Sequence, residues 1–313
     1  MSVSACTSPP ANVADASGNG YSYESYTRRL AERGDANAQF SLGSMYDEGR
    51  SPGVGQDHQL ARFWYGKAAE QGNAKAQFNL GIMHYSGKGM DRDLVQAKHW
   101  WEKAAEQGDA NAQFNLALMY ARGDGAPKDN AVSMALYKKA AEQGQVMAQY
   151  NLAFMYYEVQ HDYKQSFYWY EKAAEQGHAM AQNSLGSLYS LGQGVPQDHK
   201  QAIYWWSRAG EQRIARAQYY LAILYEKDAR VQPDLVLAYA LYDRALFNSY
   251  LNLNKKLPVE GAEIARDSIA KKMTREQIAA GDKLIAEMAI PNNFKDAFDA
   301  YLARNTSGIN AGK

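Results

Sequence analysis

The sequence is poor in the features that usually announce an activity. It has a single cysteine in 313 residues, so no disulfide framework and no cysteine-based zinc site can be built. It has no excess of charge. Lys+Arg and Asp+Glu are both 34, and nucleic acid, which selects a basic surface, is not expected as a partner. No stretch approaches the ~20 apolar residues of a membrane-spanning helix. The six histidines, His58, His84, His99, His161, His178 and His199, show neither His-x-x-x-His nor the zinc-protease spacing, so neither a metal nor a cofactor is expected. What is present is a chain that is 46% hydrophobic and 22% charged, which excludes disorder of the whole. Its length would ordinarily suggest about two globular domains.

Self-similarity replaces that expectation. Lys-Ala-Ala-Glu-Gln-Gly begins at Lys67, Lys103, Lys139 and Lys172, and Gly-Asp-Ala-Asn-Ala-Gln-Phe begins at Gly34 and Gly108. Cutting after each Lys-Ala-Ala-Glu-Gln gives units 34–71, 72–107, 108–143, 144–176, 177–212 and 213–248. Aligned, they show columns of Ala (38, 76, 112, 148, 181, 217), Gln (39, 77, 113, 149, 182, 218) and Leu (42, 80, 116, 152, 185, 221). A small residue follows the Leu (Gly43, Gly81, Ala117, Ala153, Gly186, Ala222), then Tyr46, His84, Tyr120, Tyr156, Tyr189 and Tyr225. Ala, Leu, Met and Tyr at i, i+4, i+7 and i+8 form one helical face. A glycine loop comes next, as in Gly87-x-Gly89, Gly123-x-Gly125 and Gly192-x-Gly194. A second helix then starts near a capping Asp (Asp57, Asp198) and ends at Gly. One such hairpin cannot bury its apolar face, but stacked copies can. The expected fold is an all-α, right-handed α-solenoid superhelix of helix–loop–helix repeats.

Over 34–248 these units resemble the Sel1-like repeat family, a relative of the tetratricopeptide repeats. The resemblance rests on Ala-x-Ala-Gln-[Phe/Tyr]-Asn-Leu-Gly-x-Met-Tyr, Gly-x-Gly, Gln-Asp and Trp-Tyr-x-Lys-Ala-Ala-Glu-Gln-Gly. The tetratricopeptide repeat itself has 34 residues and lacks both the Gly-x-Gly loop and the Lys-Ala-Ala-Glu-Gln-Gly ending. The resemblance implies first helices lining a concave side and a role in holding other proteins together. The remaining chain reads as a disordered tail (1–20), a capping helix (21–33), C-terminal capping helices within 249–304 and a disordered tail (305–313). In the C-terminal part, helices are expected at 259–272, 274–288 and 294–303, with a capping box at Thr274-x-x-Gln277.

Motifs of catalysis are sparse. Ser268-Ile-Ala-Lys271 matches the Ser-x-x-Lys of penicillin-interacting enzymes, but no Ser-Asp-Asn or Lys-Thr-Gly accompanies it. The Cys pairs of the penicillin-linked branch of the family are absent. Ser268 and Lys271 read as the surface of a terminal helix. The Gly-x-Gly pairs lack the third glycine and the Gly-Lys-Ser/Thr ending of phosphate loops. The chain is therefore expected not to be an enzyme.

The residues rotated away from the apolar face are the candidate binding groove: Asn79, Asn115, Leu118, Arg122, Met147, Asn151, Phe154 and Met180. Asn carries both a donor and an acceptor and can hold an extended peptide backbone. Equally, it can bond the adjacent repeat and stabilise the stack. The apolar members suit a protein-binding hot spot, or else cover helix seams. Phe63, Tyr168 and Tyr204 on second helices are expected to be buried between neighbours, the alternative being a second contact surface on the convex side. Unit 144–176 lacks the glycine loop, and a local change in curvature is expected there. Val3-Ser4-Ala5-Cys6 fits a bacterial lipobox, making Cys6 a lipidation candidate and the periplasm or outer membrane the expected location. The alternative is a free Cys in the tail of a cytoplasmic protein. By the family resemblance, the expected function is a non-catalytic scaffold binding a protein or peptide, in its sharpest form an envelope immunity protein against a secreted antibacterial effector. The alternatives are an envelope assembly or signalling adaptor and, in a different class, a penicillin-interacting enzyme or ligand-binding protein.

Overall fold

The computed structural model describes residues 12–14, 20–49, 55–228, 231–251 and 261–310, with side chains from 23 to 305. Cys6 and most of the expected N-terminal tail lie outside them. The rest of that tail enters a short antiparallel ribbon pairing β1 (Asn12–Ala14) with β2 (Gly20–Ser22). Everything else described is helical or connects helices. Two compact units divide the chain, residues 1–148 and 149–313.

The first unit opens with the lone capping helix α1 (Tyr23–Glu32). Hairpins follow: α2 (Ala36–Glu48) with α3 (His58–Glu70), α4 (Ala74–Ser86) with α5 (Leu94–Glu106), and α6 (Ala110–Arg122) with α7 (Asn130–Glu142). The second unit holds most of α8 (Val146–Met155) and then α9 (Tyr163–Glu175), α10 (Ala179–Leu191), α11 (His199–Glu211), α12 (Ala215–Lys227) and α13 (Leu235–Leu251). It closes with α14 (Ala262–Ala270), α15 (Arg275–Ala289) and α16 (Phe294–Asn310). The fold is an all-α solenoid of stacked helix–loop–helix repeats.

Each boundary has a local cause. Asp35, Asn73 and Asp109 accept a hydrogen bond from the third amide of the first helices. Asp57, Asp93, Asp129 and Asp198 accept two amides each at the second helices. These bonds satisfy N–H groups that a helix start leaves unpaired. First helices end at left-handed glycines, Gly49, Gly87, Gly123 and Gly192. In the repeat without a glycine loop, a π-helical turn (Tyr156–Gln160) follows α8 instead, ending at His161 with φ 54°.

The glutamine column, whose recurrence has no obvious role in sequence, proves to be the mortar. Gln39, Gln77 and Gln113 donate to the carbonyls of Ala31, Ala69 and Ala105 on the preceding second helix, at 3.0, 3.0 and 3.2 Å. Their own side-chain oxygens accept from Gln71, Gln107 and Gln143 at 2.7–2.8 Å. In the second unit Gln182 donates to Ala174 and Gln218 to Gly210, while Gln176, Gln212 and Asn248 donate to Gln149, Gln182 and Gln218. Both the Ala-Gln pair and the Gln of Lys-Ala-Ala-Glu-Gln-Gly are thereby explained. The small-residue column is equally specific. A methyl on Gly81 would lie 2.5 Å from the Trp101 ring and one on Gly186 2.6 Å from Trp206, so the helices of a hairpin meet over an aromatic ring where only glycine leaves room.

The C-terminal helices cap the second unit. α13 packs on α12, α14 and α15, and α16 returns to α11. Phe294 and Phe298 are buried there with Tyr225, Leu241, Leu284 and Met288. The Tyr301 hydroxyl donates to Asp234, which also caps α13. Thr274 and Gln277 make the expected capping box. α14 covers Ala262–Ala270 of the expected 259–272, and α16 runs on to Asn310, past Ala303, so that 305–310 is helical where a disordered tail was expected.

Candidate protein-binding cleft

A deep cleft belongs to the second unit. It has a volume of about 470 Å³ and lies among α8, the π turn, α10 and α12, with Tyr170 and Trp206 behind. Phe154, Met180 and Leu191, all on its lining, are 48%, 38% and 62% exposed, an unusual density of apolar surface for a folded chain. Polar groups are interleaved: Ser184, Ser187, Ser190, Gln193 and Asn183, with Glu158 and Arg216 of opposite charge. The wall is braced. Tyr157 donates to Gln193 at 3.0 Å, Tyr150 lies 5.7 Å from Tyr170 and 4.6 Å from His178, and Tyr220 lies 5.3 Å from Trp206. Burial pushes the Tyr170 hydroxyl well above its ordinary pKa, which keeps it neutral.

Of the expected groove residues, this cleft gathers Phe154 and Met180. In the first unit Asn115 and Leu118 share a smaller cleft of about 210 Å³ with Ile82, Tyr85, Trp101, Met119 and Asp124. The others fall elsewhere. Asn79 is half-buried on α4. Arg122 is exposed in the last turn of α6 and Met147 near the start of α8. Asn151 is half-buried on α8, outside the cleft lining. Sequence reasoning missed Asn183. The signal was a break in an aromatic column that reads Phe40, Phe78, Phe114, Tyr150, Asn183, Tyr219.

The expected burial of Phe63, Tyr168 and Tyr204 is corrected by the structure. They are 49%, 45% and 42% exposed. Each precedes the largely buried Trp64, Trp169 or Trp205 and points outward, edge-on to that indole and beneath Lys67, Lys172 or Arg208 four residues on. Ser268 and Lys271 are exposed at the end of α14. His84 is half-buried, and burial lowers its pKa. His58 pairs with Asp47 at 3.0 Å. Among the described residues no group of three or more His, Cys, Asp or Glu could hold a metal ion, and no helix is long and apolar enough to cross a membrane.

Stacked helical hairpins with an open, partly apolar cleft define a repeat scaffold of the kind typical of protein–protein interaction. The chain belongs to the Sel1 repeat family: residues 36–73, 74–109, 110–145, 146–178, 179–213 and 215–246 each match the Sel1 repeat. Among solved structures it is similar to a protective antigen of uropathogenic Escherichia coli displaying an SLR fold. The identity is 32%, over 90% of this chain and 58% of that one, with a TM-score of 0.72. The chain thus spans little more than half the length of that protein. It is also similar to a Sel1 repeat protein from Oxalobacter formigenes, at 30% identity over 71% of this chain and 91% of that one, with a TM-score of 0.59. Curated protein sequences gave no match.

Proposed function

We propose that the protein is a non-catalytic scaffold that grips a partner protein in the cleft of its second unit. The observation that carries this reading is the exposure of Phe154, Met180 and Leu191 around one concavity also lined by amide and hydroxyl groups. Apolar anchors encircled by polar groups are the anatomy of an interface hot spot. Exposed residues of this kind contribute little to folding, so their exposure fits binding better than stability. Phe154→Ala should lower partner affinity at least tenfold, about 1.4 kcal/mol, with the melting temperature unchanged. Loss of thermal stability without loss of binding would mark Phe154 as structural and contradict the proposal.

The finer reading places the protein in the bacterial envelope as an immunity protein, anchored through Cys6. Its support is the family resemblance and the Val3-Ser4-Ala5-Cys6 sequence. Two assays test it: metabolic labelling with a fatty acid, lost in Cys6→Ser, and protection of cells from a secreted effector encoded beside the gene. Envelope assembly partners recovered in place of an effector would favour an adaptor role.

A further inference from the structure

Asn183 breaks the aromatic column at the floor of the large cleft. In four other repeats the residue at this place packs its ring on an aromatic of its own second helix: Phe40 on Tyr65, Phe114 on Tyr137, Tyr150 on Tyr170 and Tyr219 on Tyr242, at 5.6–5.8 Å. In the fifth repeat that second-helix ring is Trp206, and no ring from position 183 covers it. The indole N–H of Trp206 is spent on the backbone carbonyl of Asn183 at 3.1 Å. Trp101 makes the same bond to the Phe78 carbonyl in the second repeat, so it does not involve the side chain in this column. Asn183 is 5% exposed, and its Oδ1 is fully buried without a hydrogen-bond partner. An orphaned buried acceptor costs about 1–3 kcal/mol, and native structures rarely leave one without a reason.

A ligand that brings a donor to this place recovers the cost. A primary amide is most fully satisfied by a group offering a donor and an acceptor side by side. One residue of an extended peptide does so, since its N–H and C=O point the same way, as in an antiparallel hydrogen-bonded pair. The surroundings suit such a segment. Phe154, Met180 and Leu191 receive a large apolar side chain, and Glu158 and Arg216 leave the lining without net charge. The volume of about 470 Å³ exceeds what one side chain needs and lies within the range of ligand pockets.

We propose that the cleft is a peptide-binding subsite for an uncharged, extended segment of the partner, in which one large apolar side chain enters over Trp206 and the adjoining backbone pairs with the Asn183 carboxamide. This rests on the protein-binding reading above and specifies what is recognised.

The probes are N-acetyl-tryptophan amide, which carries both ring and backbone, and 3-methylindole, which carries the ring alone. Titration of the full chain is followed through the Trp206 indole and Asn183 side-chain resonances. The amide is expected to shift both and to bind at least tenfold more tightly than 3-methylindole. Asn183→Ala should level the two probes. Asn183→Phe restores the column ring, fills the floor and should abolish binding of both. Equal affinity of the two probes for the wild type overturns the proposal, as does unchanged preference in Asn183→Ala or silence of both resonances up to the solubility limit. Should Asn183→Phe fail to fold, the Asn183→Ala comparison decides. Failure here with Phe154-dependent partner binding intact would refute only the peptide subsite, whereas loss of both would refute the cleft as a binding site.

Discussion

Gln77 shows how a single side chain can hold a repeat array together. It is 4% exposed, donates to Ala69 and accepts from Gln107, so one amide links three successive helices. Gln77→Ala leaves the Ala69 carbonyl and the Gln107 amide without their partner and should cost about 1–3 kcal/mol, measured by denaturant unfolding. A retained stability would mean that water replaces the ladder. His178 is a second diagnostic residue. It stands where the first three repeats have Asp or Asn, and its Nδ1 accepts the Ala181 amide at 3.1 Å. Capping requires the neutral ring, and burial lowers its pKa. The folded state therefore binds a proton less readily than the unfolded chain. The contribution is complete above the unfolded value of about 6.5 and is lost as pH falls through the lowered folded value. Burial lowers the pKa of His84 in the same sense. The melting temperature should accordingly fall between about pH 7 and pH 5, and His178→Asn should flatten part of that slope. An unchanged slope in the variant would show that His178 is not the titrating cap.

At the level of elements, the repeats were legible because most hairpins carry their own punctuation: capping Asp, left-handed glycine and terminal Gln-Gly. The C-terminal cap was less so. Its apolar residues serve one particular surface, not a repeating one, so periodicity located α15 and its capping box but undershot the end of α16. The importance of α16 lies in Phe298, 1% exposed beside Tyr225. Phe298→Ala should cost about 3–5 kcal/mol and lower the unfolding midpoint. A loss below ~1 kcal/mol would show that α16 is an appendage and not a cap. The cleft was the least legible element. Its apolar rim, Phe154 and Met180, followed from rotation away from the buried face. Its floor depends on a ring that position 183 does not supply, and a stripe of apolar residues records what is present. The outward turn of Phe63, Tyr168 and Tyr204 was hidden for a related reason. Aromatic pairs predict burial of one ring, and which of two adjacent rings faces inward depends on the neighbouring helix.

Over the whole molecule, six Sel1 repeats set the pattern against which the cleft stands out. Recurring columns account for the core, and departures from them mark the cleft: the π turn in place of a glycine loop, and Asn183 in place of a ring. The central proposal is that this cleft contacts a partner protein. A photo-crosslinking amino acid placed at Phe154 in the cells that make the protein tests it, with Ile264, 76% exposed on α14, as the control position. The account predicts a discrete protein adduct from position 154, diminished by Asn183→Phe, and none from position 264. Adducts of equal yield from both positions, or from 264 alone, would contradict it.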